Sequence, residues 1–369
     1  MTSNSSRFRK VLARIDWTLV ALVTMLGIIG VINLMSAARA DYGFALHVSQ
    51  TIWLLLGAGV VVVILIFDHR VYERWAYIFY GGVLVLLGLV LVAGTELNGS
   101  KRWLALGFFN MQPSELMKIA IILLTARYFA DRDRAESYGL VQLAPLFGAV
   151  AAGAGLILAE PDLGTTLVIL AIFMTMVLFE GMKWSSLVTL AAIGVFSLPF
   201  VWTLGMHDYQ RDRVMAFLHL TDDEYGSSWQ VRQSVIAFGS GRVWGKGHVE
   251  GTQIQKGFVP EHENDFVAAN WGEEHGFVGM LLLLGLYFVL IVWALRISSI
   301  ARDRFGAHIG VGVAAMLFWH VFVNVGMVTG MLPVVGLTLP FLSAGGSSLV
   351  TMMMGIGLLL NVSVRRKPL

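Results

Sequence analysis

The sequence predicts an all-α integral membrane protein that crosses a bilayer about ten times. Three observations carry this reading. Hydrophobic residues make up 57% of the 369-residue chain and charged residues only 14%, where a soluble domain carries about 25% charge. Apolar runs long enough to span a hydrocarbon core recur along the whole chain. Lys and Arg gather in alternate connections between those runs.

Taken in order, the apolar cores are Trp17–Leu34, Ile52–Phe67, Ile78–Val92, Leu116–Phe129 and Val141–Leu158. Leu163–Leu178, Leu187–Leu204, Phe277–Leu295, Ile309–Met331 and Leu349–Leu360 follow. The first run follows Arg7, Arg9, Lys10 and Arg14 and precedes Ala38-Arg39-Ala40, which looks like a cleavage site. It is longer than the roughly 7–15 residues of a secretory apolar region, so it is expected to remain as a span. The fourth run carries charge and is the least apolar.

With the N-terminus inside, one set of connections holds Arg70, Arg74, Arg127, Arg132, Arg134, Lys183, Arg296, Arg302 and Arg304, and the C-terminal tail adds Arg365, Arg366 and Lys367. The short connections of the other set hold only Arg39, Lys101 and Arg102. That asymmetry predicts an even number of spans with both termini cytoplasmic. The chain reads as one polytopic domain over residues 1–369. Its one long extracytoplasmic loop, over 207–265, has about sixty residues, a length usually reserved for function. Trp229–Phe238 within it could form a short amphipathic helix at the membrane surface.

The net charge of +2 offers no basic field for nucleic acid, and the absence of Cys excludes disulfides and thiolate chemistry. Polar residues inside or beside the spans are therefore the informative ones. Glu115 and Lys118 lie three apart, on one helix face. They are either a structural ion pair or one wall of a polar cavity for an anionic substrate. Asp162 follows Pro161 at the start of a span, as a helix cap or as a cavity carboxylate organising Lys118 or Arg102. Three carboxylates, Glu261, Glu263 and Asp265, sit within five residues. They form a solvated turn, or else Asp265, beside Phe266 and Val267, is partly desolvated and raised toward a useful general base. Gly239-Ser240-Gly241 and Gly245-Lys246-Gly247 lack the strand–loop–helix context of a phosphate loop and read as turns. His207, His248, His262 and His275 have no recognised metal spacing.

Gln112-Pro113-Ser114-Glu115-Leu116-Met117-Lys118, Pro161-Asp162-Leu163-Gly164-Thr165, Pro260-Glu261 with Asp265-Phe266, Glu273-Glu274, and the run from Gly330 to Ser347 occur in that order. Together they resemble the SEDS family of shape, elongation, division and sporulation proteins. Tyr209-Gln210-Arg211 with Arg213, and Gly251-Thr252-Gln253, are similar to its elongation branch rather than its division branch.

The resemblance implies a peptidoglycan glycosyltransferase, inverting at the anomeric carbon, that polymerises lipid II into glycan on the outer face of the bacterial cytoplasmic (inner) membrane. It implies a class B penicillin-binding protein and the elongation machinery as partners. The family's proposed catalytic aspartate falls on Asp265, and its motifs bring Glu261, Ser343 and Ser347 into the substrate site. Glu263 and Asn264 stand where the family often has His and Thr, and Ala344 where it has Tyr. In such a reaction one carboxylate takes the proton of the acceptor hydroxyl, and cations offset the charge on the departing lipid diphosphate. Lys118, Arg102, Arg211 and Arg213 are the candidate cations, and a divalent ion, Mg²⁺ or Mn²⁺, could serve the same end. A lipid II flippase and a non-catalytic scaffold for the penicillin-binding protein remain as alternatives from the residues alone.

Overall fold

The computed structural model describes residues 14–37, 45–97, 100–105, 107, 110–132, 137–206, 208–218 and 227–365. Arg7, Arg9, Lys10, Ala38, Arg39, Ala40, Arg134, His207, Arg366 and Lys367, and with them both termini and part of the 207–265 loop, lie outside the described residues. All ten apolar runs are helical. In chain order they are α1 (Trp17–Ala37), α2 (Ala45–Ile66), α3 (His69–Ala93), α4 (Pro113–Ala130), α5 (Leu140–Ala159), α6 (Leu163–Glu180) and α7 (Trp184–Phe200). After the long loop, with its shorter helices α8 (Asp208–Phe217), α9 (Ser227–Ser240) and α10 (Thr252–Gln255), come α11 (Val267–Ser299), α12 (Arg304–Val328) and α13 (Gly346–Val364).

Among the described residues, nine of these helices are long and apolar enough to cross a membrane. The exception is α4, which carries Glu115, Lys118 and Arg127. Its position explains why charge is tolerated. It lies against α3, α6 and α12, and nearly every residue from Pro113 to Phe129 is buried in protein rather than facing lipid. By contrast α7 stands apart, with Ser186 its one buried residue.

Two features differ from the sequence reading. The connection between α3 and α4 is a small antiparallel sheet rather than a plain loop: β1 (Thr95–Leu97) pairs with β2 (Ser100–Ala105), and β2 with β3 (Asn110–Met111). And the helix at Trp229–Phe238 does not lie free at a surface. As α9 it packs on α11 and α12, with Ala237 and Ser234 buried and the Ser234 hydroxyl donating to the Val328 carbonyl at 2.8 Å. Burial against protein satisfies its apolar face.

The eighth span begins ten residues before its apolar core, because α11 is two helices joined at Gly276 (φ 63°, ψ −162°). The first, Val267–His275, is buried; the second is the predicted Phe277 run. Such a break frees backbone groups that hydrocarbon cannot satisfy. The loop Arg242–Gly247 satisfies them. Lys246 and Gly247 N–H donate to the Glu273 and Glu274 carbonyls, both at 3.0 Å. Phe277 and Val278 N–H donate to the Arg242 and Val243 carbonyls at 2.8 and 3.1 Å.

That pairing explains the glycine-rich turns. A Cβ on Gly245 would sit 2.1 Å from the Glu274 oxygen, and one on Gly241 the same distance from the Gly272 oxygen. Only glycine lets the two backbones meet so closely.

Gly276→Ala tests this. The left-handed φ costs about 1–3 kcal/mol for a side chain, and the added Cβ would lie 2.3 Å from the Gly245 nitrogen. Thermal unfolding in detergent should shift clearly downward. Gly285→Ala, in open space on the same helix, should leave it unchanged or raise it slightly. Equal melting of the two variants would contradict the docked-loop arrangement.

Candidate active site

The loop between α12 and α13 folds back into the bundle and closes one end of it. Its backbone is fastened to the acidic turn before α11. The Ser343 hydroxyl donates to the Asn264 carbonyl at 2.6 Å and accepts from Leu339 N–H at 2.7 Å, while Ala344 N–H donates to the Glu263 carbonyl at 2.8 Å. Ser343 is thus a buried staple, not a substrate contact.

Between this loop, the start of α6 and the acidic turn lies a cavity of about 750 Å³. Arg102, Glu115, Asp162, Arg213, Glu261, Asp265 and Ser347 all line it. The chain therefore brings seven of its ten predicted site residues to one space. Sequence reasoning gave no site role to Gln112, Thr165, Gln210, Thr338 or Ser348, which also line it. Single hydroxyls and amides carry no spacing signal that separates them from ordinary caps.

Asp162 is the cap of α6: its carboxylate accepts from Thr165 N–H at 3.0 Å, from the Thr165 hydroxyl at 2.9 Å and from the Gln112 amide at 3.2 Å. The partners of its carboxylate oxygens are thus Thr165 and Gln112. Arg102, carried in by β2, donates to the carbonyls of Glu160 and Pro161 at 3.0 and 2.6 Å. Arg213 donates to the Val334 carbonyl at 3.2 Å. Ser347, at the start of α13, accepts from Gln112 N–H at 3.2 Å and donates to the Asn110 carbonyl at 3.1 Å.

Two predicted cations do not reach the cavity. Arg211 turns away, donating to the Trp202 and Thr203 carbonyls, both at 2.9 Å, and pairing with Asp208 at 3.4 Å. It satisfies carbonyls at the end of the seventh span. Lys118 is wholly buried behind Glu115, which it meets at 2.8 Å. The imidazole of His262 is buried against the Val259 carbonyl at 2.9 Å and does not line the cavity. Among the described residues no three His, Asp or Glu side chains gather as a metal ion would need.

Asp265 is the electrostatically unusual group. Asn324 holds its backbone carbonyl at 2.9 Å. Burial pushes its carboxyl up to about 6, the negative charges of Glu261, Asp162 and Glu263 add to the rise, and Arg213 opposes it. The nearby Glu160 is also buried and pushed up to about 8, with Asp162 adding and Arg102 opposing, so it holds a proton at neutral pH. Glu160 does not itself line the cavity; Asp265 does, together with the guanidinium groups of Arg102 and Arg213.

A sequence model of the FtsW, RodA and SpoVE family, described as cell cycle protein, matches residues 13–368. The chain is 37% identical to the peptidoglycan glycosyltransferase MrdB of Escherichia coli K12, over 96% of this chain and 95% of that one. It is 36% identical to stage V sporulation protein E of Bacillus subtilis, over 94% and 96%. It superposes on a peptidoglycan synthase complex in which polymerization and crosslinking are structurally coordinated, with a TM-score of 0.81 at 33% identity, covering 95% of this chain and 97% of that one. For the rod shape determining protein RodA of Thermus thermophilus the TM-score is 0.71 at 31% identity, covering 96% and 98%.

The raised Asp265 carboxyl has a stability consequence. Because the folded state favours its protonated form, ionisation costs stability above about pH 6 and costs nothing below the ordinary value of 3.8. Asp265→Asn should therefore stabilise the protein by on the order of 2 kcal/mol at pH 8, after allowance for solvent access, and by nothing at pH 3. Denaturant titration in micelles at the two pH values measures it. A gain that does not depend on pH would contradict the desolvated carboxylate.

Proposed function

We propose that this chain, which belongs to the FtsW, RodA and SpoVE family and is a peptidoglycan glycosyltransferase of cell elongation, polymerises lipid II with Asp265 as its general base. The observation that carries the assignment is the Asp265 carboxyl itself. It faces the cavity and is raised to about 6, so it is ionised at neutral pH yet a stronger base than an ordinary aspartate.

The 4-hydroxyl of the acceptor sugar attacks the anomeric carbon of the donor and inverts it. Its proton passes to the Asp265 carboxylate as the new C–O bond forms. The bond from C1 to the lipid diphosphate breaks and the diphosphate leaves with the electron pair. A diphosphate needs little protonation to leave, so one base suffices. The charge it carries away is met by the guanidinium groups of Arg213 and Arg102, which line the same cavity. Glu261 and Glu263 raise the basicity of Asp265 through their charge rather than by contact with the sugar. Both substrates are lipid-anchored, which accounts for a site at one end of a membrane bundle.

The Lys and Arg asymmetry supports an orientation with that end outside and both termini in the cytoplasm. The likeness to a synthase complex that couples polymerization with crosslinking supports a crosslinking partner, a class B penicillin-binding protein, and a place in the elongation machinery.

With purified protein and lipid II, Asp265→Asn should lower polymerisation by on the order of 10²–10⁴-fold. Glu261→Gln should cost much less and move the acid limb of the rate profile, centred near pH 6, to lower pH, since it removes one negative neighbour. Near-normal polymer from a folded Asp265→Asn protein would sink the base assignment, and translocation without polymer from the unaltered protein would return the flippase reading. Reporter fusions should give an external signal at residue 240 and a cytoplasmic one at the C-terminus; the same signal at both would overturn the orientation.

A further inference from the structure

Lys118 and Glu115 do not act as an isolated ion pair. His320, on α12, is wholly buried and faces them. Its Nδ1 lies 3.1 Å from the Thr338 carbonyl, which can only accept, so that nitrogen carries the proton. In that neutral tautomer Nε2 is an acceptor, and the Lys118 ammonium donates to it at 2.9 Å. The same ammonium donates to Oε1 of Glu115 at 2.8 Å. Glu115 lines the cavity, and its other oxygen, Oε2, is buried with no hydrogen-bond partner. An unsatisfied carboxylate oxygen in a dry site is costly unless something that enters the site donates to it.

One turn along α12, Asn324 donates to the Leu337 carbonyl at 2.6 Å and to the Asp265 carbonyl at 2.9 Å. Residues four apart share a helix face. One face of α12 therefore holds Lys118 on one side and the backbone of Asp265 on the other, with the 337–338 backbone between them.

We propose that His320 is a positioning residue for the substrate: by holding Lys118 to one oxygen of Glu115, it keeps the other oxygen unpaired, so that it can accept a hydrogen bond from a hydroxyl or amide N–H of the lipid-linked sugar–peptide that packs against Glu115 in the cavity. Without the imidazole, the buried ammonium has one acceptor fewer. It then turns onto both Glu115 oxygens and occupies the position the substrate needs. Lys118 thus acts from behind Glu115 and is not itself a ligand of the diphosphate. The inference rests on the cavity being the polymerase site, and it predicts a kinetic signature different from that of Asp265.

Loss of a hydrogen bond to a charged group costs about 1.5–3 kcal/mol, so His320→Leu should raise KM for lipid II by roughly tenfold or more with little change in kcat. Asp265→Asn, measured alongside, lowers kcat. His320→Gln keeps an acceptor for Lys118 and a donor for Thr338, and should restore KM to near the unaltered value. In a Lys118→Met background, where the ammonium is gone, His320→Leu should add almost nothing.

If His320→Leu does not fold by thermal melting, His320→Asn, too short to span both partners, takes its place and must show the same rise in KM. An unchanged KM in a folded variant, a full additive cost in the Lys118→Met background, or a folded His320→Gln that behaves as Leu would each overturn the proposal. Full activity of Asp265→Asn would instead remove the polymerase-site reading and leave the His320 cycle to be judged on its own.

Discussion

The break in α11 places unpaired backbone groups at the edge of a medium that contains no water, and much of the active end of the molecule follows from how they are satisfied. Four backbone hydrogen bonds from the Arg242–Gly247 loop close the gap. The side chains at the break reinforce them. Glu273 accepts from Lys246 at 2.6 Å and from Gln253 and Ile254 N–H at 2.9 and 3.2 Å. Glu274 accepts from Val249 N–H at 2.9 Å and from the Ser36 hydroxyl of α1. Two buried carboxylates, each met by several donors, therefore turn a stretch of the long loop into part of the rigid body. The short helix Val267–His275 is held in turn by Asn33 and Asn270, which bond across to each other. Asp265, two residues before that helix, inherits its position from all of this.

The cavity is assembled from segments far apart in the chain. The Gly330–Ser347 run lines it and ties together α6 through the close approach of Gly164 to the Val335 carbonyl, α8 through Arg213 on the Val334 carbonyl, the acidic turn through Ser343, and, behind the cavity, α1 through Gly30 against the Phe341 carbonyl and α12 through His320 and Asn324. Its carbonyls, which a helix would have used internally, are spent on these contacts. Non-helical backbone is tolerated at this depth because it is buried in protein and lines a cavity.

The charges of the site balance by proximity rather than by pairing. Asp162 has its oxygens satisfied by helix N–H and hydroxyl donors yet still acts through its charge, Glu160 is pushed up by burial, and Asp265 is raised by burial and three acidic neighbours and restrained by Arg213. Glu115, Asp162, Glu261 and Asp265 thus share one space with the guanidinium groups of Arg102 and Arg213. In the transfer proposed above, Asp265 serves as base on the acceptor and the guanidinium groups supply positive charge at the leaving group.

The ten apolar runs, all helical in the structure and nine of them long and apolar enough to cross a membrane among the described residues, were legible in the sequence because hydrocarbon allows few alternatives to an apolar helix. Asp265 stood out in the sequence too, from its motif and its place before an apolar run, and the fold puts it on the cavity wall. Arg102, Glu115, Asp162, Arg213, Glu261 and Ser347, singled out from the sequence, line the same cavity as Asp265. The sequence could not say that Lys118 sits behind Glu115, that Arg211 turns toward the end of the seventh span, or that Ser343 is a staple. A charge and a hydroxyl look the same in a sequence whether they face a cavity or a carbonyl. His320 and Asn324 were overlooked inside an apolar run, although a polar residue there signals a partner. Which partner it finds depends on contacts between segments some two hundred residues apart, as from Lys118 to His320. Local spacing cannot encode such contacts; only the packing of α4 against α12 and the folded-in loop decides them.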